Sequence, residues 1–137
     1  MSLAALTTGA AATRLETDEV IWLTTVRPDG QPQSSPVWFV WDGTNVVVFS
    51  RPGPGKVANI AANPLVALHL DDRGDVVVSV EGRAEVAADL RAERVAAYAR
   101  KYRDGIARLG TDLDAYLGEF SVAIVIRPTR ARVFEEV

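Results

Sequence analysis

The chain of 137 residues has no cysteine and a single histidine, His69. The first absence excludes disulfides, thiolate metal sites and cysteine nucleophiles. One imidazole is too little for a His-rich metal centre, and it poorly supplies a Ser-His-Asp triad. No metal site is expected. No apolar run approaches the ~18 residues of a membrane span. Met1 to Ala12 lacks the basic segment of a signal peptide, so a cytoplasmic protein with no membrane partner is the expectation. An excess of positive charge is also missing. Fifteen Lys and Arg face eighteen Asp and Glu, for a formal charge of -3. Nucleic acid is therefore not an expected partner, and any phosphate site must be local.

What is present is an ordinary globular balance, 48% hydrophobic and 24% charged, and length enough for one core. Residues 1–137 read as one domain without repeats or linkers, with about 1–15 as an N-terminal helix or arm. Val20 to Val26 is β-branched and apolar, which predicts a strand. It ends at Pro28-Asp29-Gly30, a turn in which Pro presets φ and Gly accepts positive φ. Gln33 to Trp41 reads as one second strand, and Val46 to Ser50 as a short buried third. Lys56 to Ala62 is helical and stops before Asn63-Pro64. Leu65 to Leu70 and Val76 to Ala87 are strands around a hairpin loop at 71–75, and Gly82 predicts a bulge or bend. Asp89 reads as an N-cap for a helix from Leu90 to Arg103, and Thr111-Asp112 as the cap of Leu113 to Leu117. Phe120 to Ile126 is a buried strand that Pro128 interrupts, and Arg132 to Glu135 is expected at an edge. Six strands joined mostly by hairpins, with a few packed helices, predict an antiparallel barrel.

Chemistry concentrates between Ser34 and Asn59. A buried strand ends at Ser50, the Pro/Gly loop Arg51 to Gly55 follows, and Lys56 opens a helix. Backbone N–H groups at the helix start, with Arg51 and Lys56, can form an anion-binding corner. A plain turn with a solvated lysine explains the same residues about equally well. The loop is not a Walker motif, which needs Gly at Ser50 and Ser or Thr at Val57. His69, before a loop and without a carboxylate at fixed spacing, reads as structural or exposed. Trp22 and Trp41 read as core. Arg91, Arg94, Arg100, Lys101 and Arg103, with Glu93 and Asp104, read as a solvated helix face. Tyr98 and Tyr102, at i,i+4, read as packing on the barrel.

From about Glu19 to Phe134 the chain resembles the split β-barrel relatives of pyridoxamine 5'-phosphate oxidase. It is most similar to the small actinobacterial proteins that use the deazaflavin coenzyme F420. The resemblance rests on Leu23-Thr24-Thr25-Val26-Arg27-Pro28-Asp29-Gly30, on Pro36-Val37-Trp38-Phe39, on Lys56, Asn59 and Ile60 followed by Asn63-Pro64, and on Val80-Glu81-Gly82-Arg83-Ala84. It implies a six-stranded split barrel and a homodimer with cofactors at the interface. It implies cofactor phosphate at the corner of Ser50, Arg51 and Lys56, Asn59 as a further cofactor-binding residue, and a ring system beside the backbone of Pro36, Val37 and Trp38. The implied activity is hydride transfer between reduced F420 and a small organic acceptor. No catalytic side chain is expected, because the chemistry is borne by the cofactor. The family's FMN enzymes carry arginines where this chain has Ser35 and Gly55. A dianionic FMN phosphate wants a dense clamp, whereas the F420 phosphodiester carries one charge. The alternatives are an FMN-binding oxidase or flavin reductase, and a non-catalytic cofactor carrier.

Overall fold

The computed structural model describes residues 3–71 and 76–134. Its strands are β1 (Val20–Val26), β2 (Pro32–Trp38), β3 (Val40–Trp41), β4 (Val46–Ser50), β5 (Leu65–His69), β6 (Val77–Ala87) and β7 (Val122–Phe134). They form one antiparallel sheet in the order β2-β1-β5-β6-β7-β4-β3. Inward positions alternate along the strands as period-2 geometry demands. Ile21, Leu23 and Thr25 on β1, and Val78, Val80 and Ala84 on β6, are buried.

The single strand expected over Gln33 to Trp41 is broken at Phe39, so seven strands stand where six were predicted. The break closes the barrel. The first half pairs with β1 and the second with β4, so one continuous segment joins both edges of the sheet. The Tyr102 hydroxyl holds the break. It accepts from the Phe39 N–H at 2.8 Å and lies 2.6 Å and 2.7 Å from the carbonyl oxygens of Glu19 and Phe39. Its one hydrogen serves either carbonyl at a time.

Pro128 does not end the last strand, and the segment around Arg132 is not at an edge: β7 runs on between β6 and β4. The register shifts between Glu81 and Gly82, with Pro128 opposite Gly82 and Thr129 as the extra residue. A bulge relieves Pro128 of the ladder bond it cannot donate. Glycine is required opposite it, since a Cβ at Gly82 would lie 2.9 Å from the Arg127 carbonyl oxygen.

The N-terminal segment is a 3-10 turn (Leu3–Leu6) followed by α1 (Gly9–Thr17), two residues beyond the predicted end. Leu6, Ala11 and Leu15 are buried in the barrel core, so the segment stops one barrel end. Arg14 fastens it. Its guanidinium donates to Asp18 at 2.7 Å, to the Asp71 carbonyl at 2.6 Å and to the Val76 carbonyl. Residues 72–75 of the predicted hairpin loop lie outside the described residues.

Helix α2 spans Lys56–Ala62, as predicted. Helix α3 runs over Ala92–Arg108, starting later and ending later than expected. Asp89 is not its N-cap; the carboxylate accepts from the Arg91 N–H, and Arg91 takes the cap position with φ 61°. Helix α4 (Leu113–Glu119) is capped by Asp112, whose side chain accepts from Ala115 N–H at 2.8 Å. The two helices cover the outer face of β4. Val46 and Val48 therefore point into the barrel while Val47 and Phe49 pack under the helices, so every residue of β4 is buried. No helix among the described residues is long and apolar enough to cross a membrane.

Candidate functional site

A cleft of about 440 Å³ opens between the end of β2, the end of β4 and the helices α3 and α4. It brings together Pro36, Val37, Trp38, Ser50, Arg51 and Lys56, six of the seven residues the sequence singled out. Asn59 is the exception. It is buried inside the fold, where its amide donates to the Thr25 hydroxyl at 3.0 Å and to the Gln33 side chain at 3.3 Å. It ties α2 to β1 and β2 and does not line the cleft.

The polar end of the cleft is the loop from Ser50 to Lys56. Gly53 and Gly55 have φ of 104° and 87°, so the loop depends on conformations that side chains with a Cβ rarely adopt. The backbone itself thus disfavours an arginine at position 55. Arg51 is engaged elsewhere: it pairs with Glu119 at 2.9 Å and sits 4.9 Å over the Phe120 ring. The Ser50 hydroxyl donates to the Arg51 carbonyl at 3.0 Å. Lys56 has no carboxylate within ion-pair distance among the described residues. It stands half-buried at the start of α2, whose first N–H groups have no acceptor within the helix. With seven residues α2 has a weak dipole, so the ammonium dominates the corner.

The other end is aromatic: Trp38, Phe49, Tyr98, Tyr116 and Phe120. Trp38 stacks on Tyr102 at 4.6 Å between centroids, and Tyr116 on Phe120 at 4.4 Å. Gly105 lets α3 approach, because a Cβ there would lie 3.0 Å from the Trp38 ring. The Tyr98 and Tyr116 hydroxyls are 2.8 Å apart. Sequence reasoning found Trp38 and the packing of Tyr98 and Tyr102, but not the cleft that Tyr98 and Tyr116 line. The available signal was that all three tyrosines of the chain fall on α3 and α4.

Lys101 departs from the solvated face assigned to it. Its ammonium donates to the Phe39 carbonyl at 3.0 Å and lies 3.9 Å from the Phe39 ring centroid. Burial lowers its pKa to about 8, against the attraction of Asp18 and Glu19. The unfolded chain, with its ordinary lysine, therefore binds more protons than the folded chain between about pH 8 and 10.5. Folding stability should rise with pH from about 8 toward 10. After discounting for partial exposure the gain is about 1 kcal/mol. Above that range the buried phenols Tyr98 and Tyr102, held protonated by burial, reverse the slope. Denaturant melts of wild type and Lys101→Met across this window check it, and the variant should lose the rise.

Arg91, Arg100 and Arg103 are exposed, as expected. So is His69, whose ring lies parallel to Trp22 at 6.2 Å. Trp41 packs against the barrel core. Among the described residues no group of three or more His, Cys, Asp or Glu could hold a metal ion.

The family described as Pyridoxamine 5'-phosphate oxidase matches residues 7–133. Among solved structures, an F420 reductase is 28% identical, with a TM-score of 0.72, covering 91% of this chain and 98% of its own. A conserved hypothetical protein from Mycobacterium tuberculosis is 25% identical with a TM-score of 0.76, covering 98% of this chain and 85% of its own. A FAD-binding protein from Mesorhizobium loti, 23% identical with a TM-score of 0.64 and covering 97% of this chain and 92% of its own, shares the fold. No curated protein matches.

Proposed function

The chain belongs to the pyridoxamine 5'-phosphate oxidase family, and from that premise we propose that it is a reductase using coenzyme F420 to reduce a small organic acceptor. The fold is that of flavin-type oxidoreductases. The observation that carries the finer reading is the charge at the polar end of the cleft. Of its two cations, Arg51 is paired with Glu119, and Lys56 alone has no ion-pair partner among the described residues. One available positive charge fits a phosphodiester monoanion better than the dianionic phosphate of FMN. The positive φ of Gly55 keeps that balance from being altered by a side chain there. The similarity to an F420 reductase points the same way.

In this reading Lys56 and the first amides of α2 hold the phosphodiester, and the backbone of Pro36, Val37 and Trp38 flanks the ring system. When bound, the coenzyme supplies the hydride chemistry. The protein orients the reactants and excludes water with Trp38, Phe49 and Tyr98. Titration of F420 and FMN side by side tests the assignment. F420 should bind at least tenfold more tightly, about 1.4 kcal/mol. The gap should narrow at high salt, which screens exposed contacts with the acidic tail of the coenzyme. Equal affinities, or tighter FMN, would promote the FMN oxidase or flavin reductase reading.

The reading includes a homodimer whose second copy walls the cofactor groove. In its support, most of β2 is exposed, and Leu65 on β5 is 51% exposed. Light scattering at micromolar concentration should report a dimer, and a stable monomer would remove the shared groove from the model of action.

A further inference from the structure

The aromatic end of the cleft holds a pair of hydroxyls with one hydrogen more than their mutual bond uses. Tyr98 is 0% and Tyr116 6% exposed, and both line the cleft. Two hydroxyls carry two hydrogens, and their mutual bond at 2.8 Å uses one. The second hydrogen has no acceptor among the described residues. Burial holds the Tyr98 phenol protonated. Burial also raises Tyr116, while the bond from Tyr98 and the charge of Arg51 act in the opposite sense. Either hydroxyl can donate to the other, and Tyr116 is the more accessible of the two and a residue of the cleft lining, so a ligand oxygen in the cleft selects the arrangement in which Tyr98 donates and Tyr116 keeps the spare hydrogen. A ligand oxygen seated in the cleft can accept this hydrogen.

We propose that Tyr116, paired with Tyr98, is a hydrogen-bond anchor for an anionic, phenolate-type oxygen on a planar conjugated ligand. The lining rings offer flat apolar surface: Trp38 and Tyr116 lie 23° from parallel at 5.8 Å. A single spare hydrogen calls for a single strong acceptor, and a negatively charged oxygen is the strongest. A sugar or another polyol would leave its hydroxyls unpaired against these rings. A phosphate needs several donors, which lie at the Lys56 end. That this ligand is the acceptor of the reaction rests on the oxidoreductase reading above; its binding does not.

The test uses 4-nitrophenolate, titrated into cofactor-free protein in buffer alkaline enough to ionise it. Tryptophan quenching and the shift of the probe's absorption band report binding. Wild type should bind saturably. Tyr116→Phe keeps the ring and should bind about tenfold more weakly, the scale of one hydrogen bond to a charged group. Tyr98→Phe leaves the Tyr116 hydrogen in place and should change affinity less than about threefold. Melting curves of both variants establish that they are folded. No saturable binding by wild type, an unchanged Tyr116→Phe, or equal losses in the two variants would overturn the anchor. Protein that binds 4-nitrophenolate in this pattern but not F420 would keep the anchor and overturn the coenzyme assignment; the reverse result would do the opposite.

Discussion

Arg14→Met should lower folding stability by about 3–5 kcal/mol, the cost of removing one partner from a buried ion pair. The Arg14 and Asp18 side chains are only 6% and 9% exposed. The substitution leaves the Asp18 carboxylate without its guanidinium and takes the donor from the carbonyls of Asp71 and Val76. Those carbonyls flank the β5–β6 connection, so the loss loosens α1 from the barrel end it stops. In a domain of ordinary stability this is a large share of the total, and the melting temperature should fall by roughly 10–20 °C. Arg14→Lys should recover less than half, because one ammonium cannot span acceptors that a planar fork reaches from three nitrogens. Thermal melts of both variants decide it. A Met variant within about 1 kcal/mol of wild type would show that α1 contributes little to the barrel.

Lys56→Ala should weaken F420 binding by about 1.5–3 kcal/mol, the range for a hydrogen bond to a charged group. Stability should stay within about 0.5 kcal/mol, since the ammonium makes no ion pair among the described residues. Arg51→Ala should cost less affinity, because Glu119 competes for that guanidinium. Glu119→Gln, which frees Arg51, should strengthen binding. Exposed pairs of this kind contribute about 0–1 kcal/mol, so that gain is small. Calorimetric titration separates these outcomes. Unchanged binding by Lys56→Ala would move the phosphate site away from the start of α2.

Alternation and turn chemistry determined most of the architecture from the sequence alone. Val20 to Val26, Val46 to Ser50 and Leu65 to His69 are strands because their apolar, β-branched runs end at residues that turn the chain. Lys56 to Ala62 is a helix that ends where Asn63-Pro64 placed its stop. The Gly82 bulge was legible from a glycine inside a strand pattern. The cleft's polar end was legible too, because Ser50 to Lys56 is a local motif, whereas Pro36, Val37 and Trp38 were pointed out by the family resemblance. The remaining features depend on partners distant in the chain. The break at Phe39 exists because Tyr102, 63 residues away, satisfies its backbone. Pro128 stays in its strand because Gly82 opens the register opposite it. Lys101 leaves the solvent because the Phe39 carbonyl and ring receive it. Asn59 turns inward to Thr25 and Gln33. Tyr98 and Tyr116 become a hydroxyl pair only when α3 and α4 fold over β4. Local residue preferences encode strands, turns and the start of α2, because these are settled among near neighbours. Which polar group satisfies which is settled only by the packing that removes water from between them.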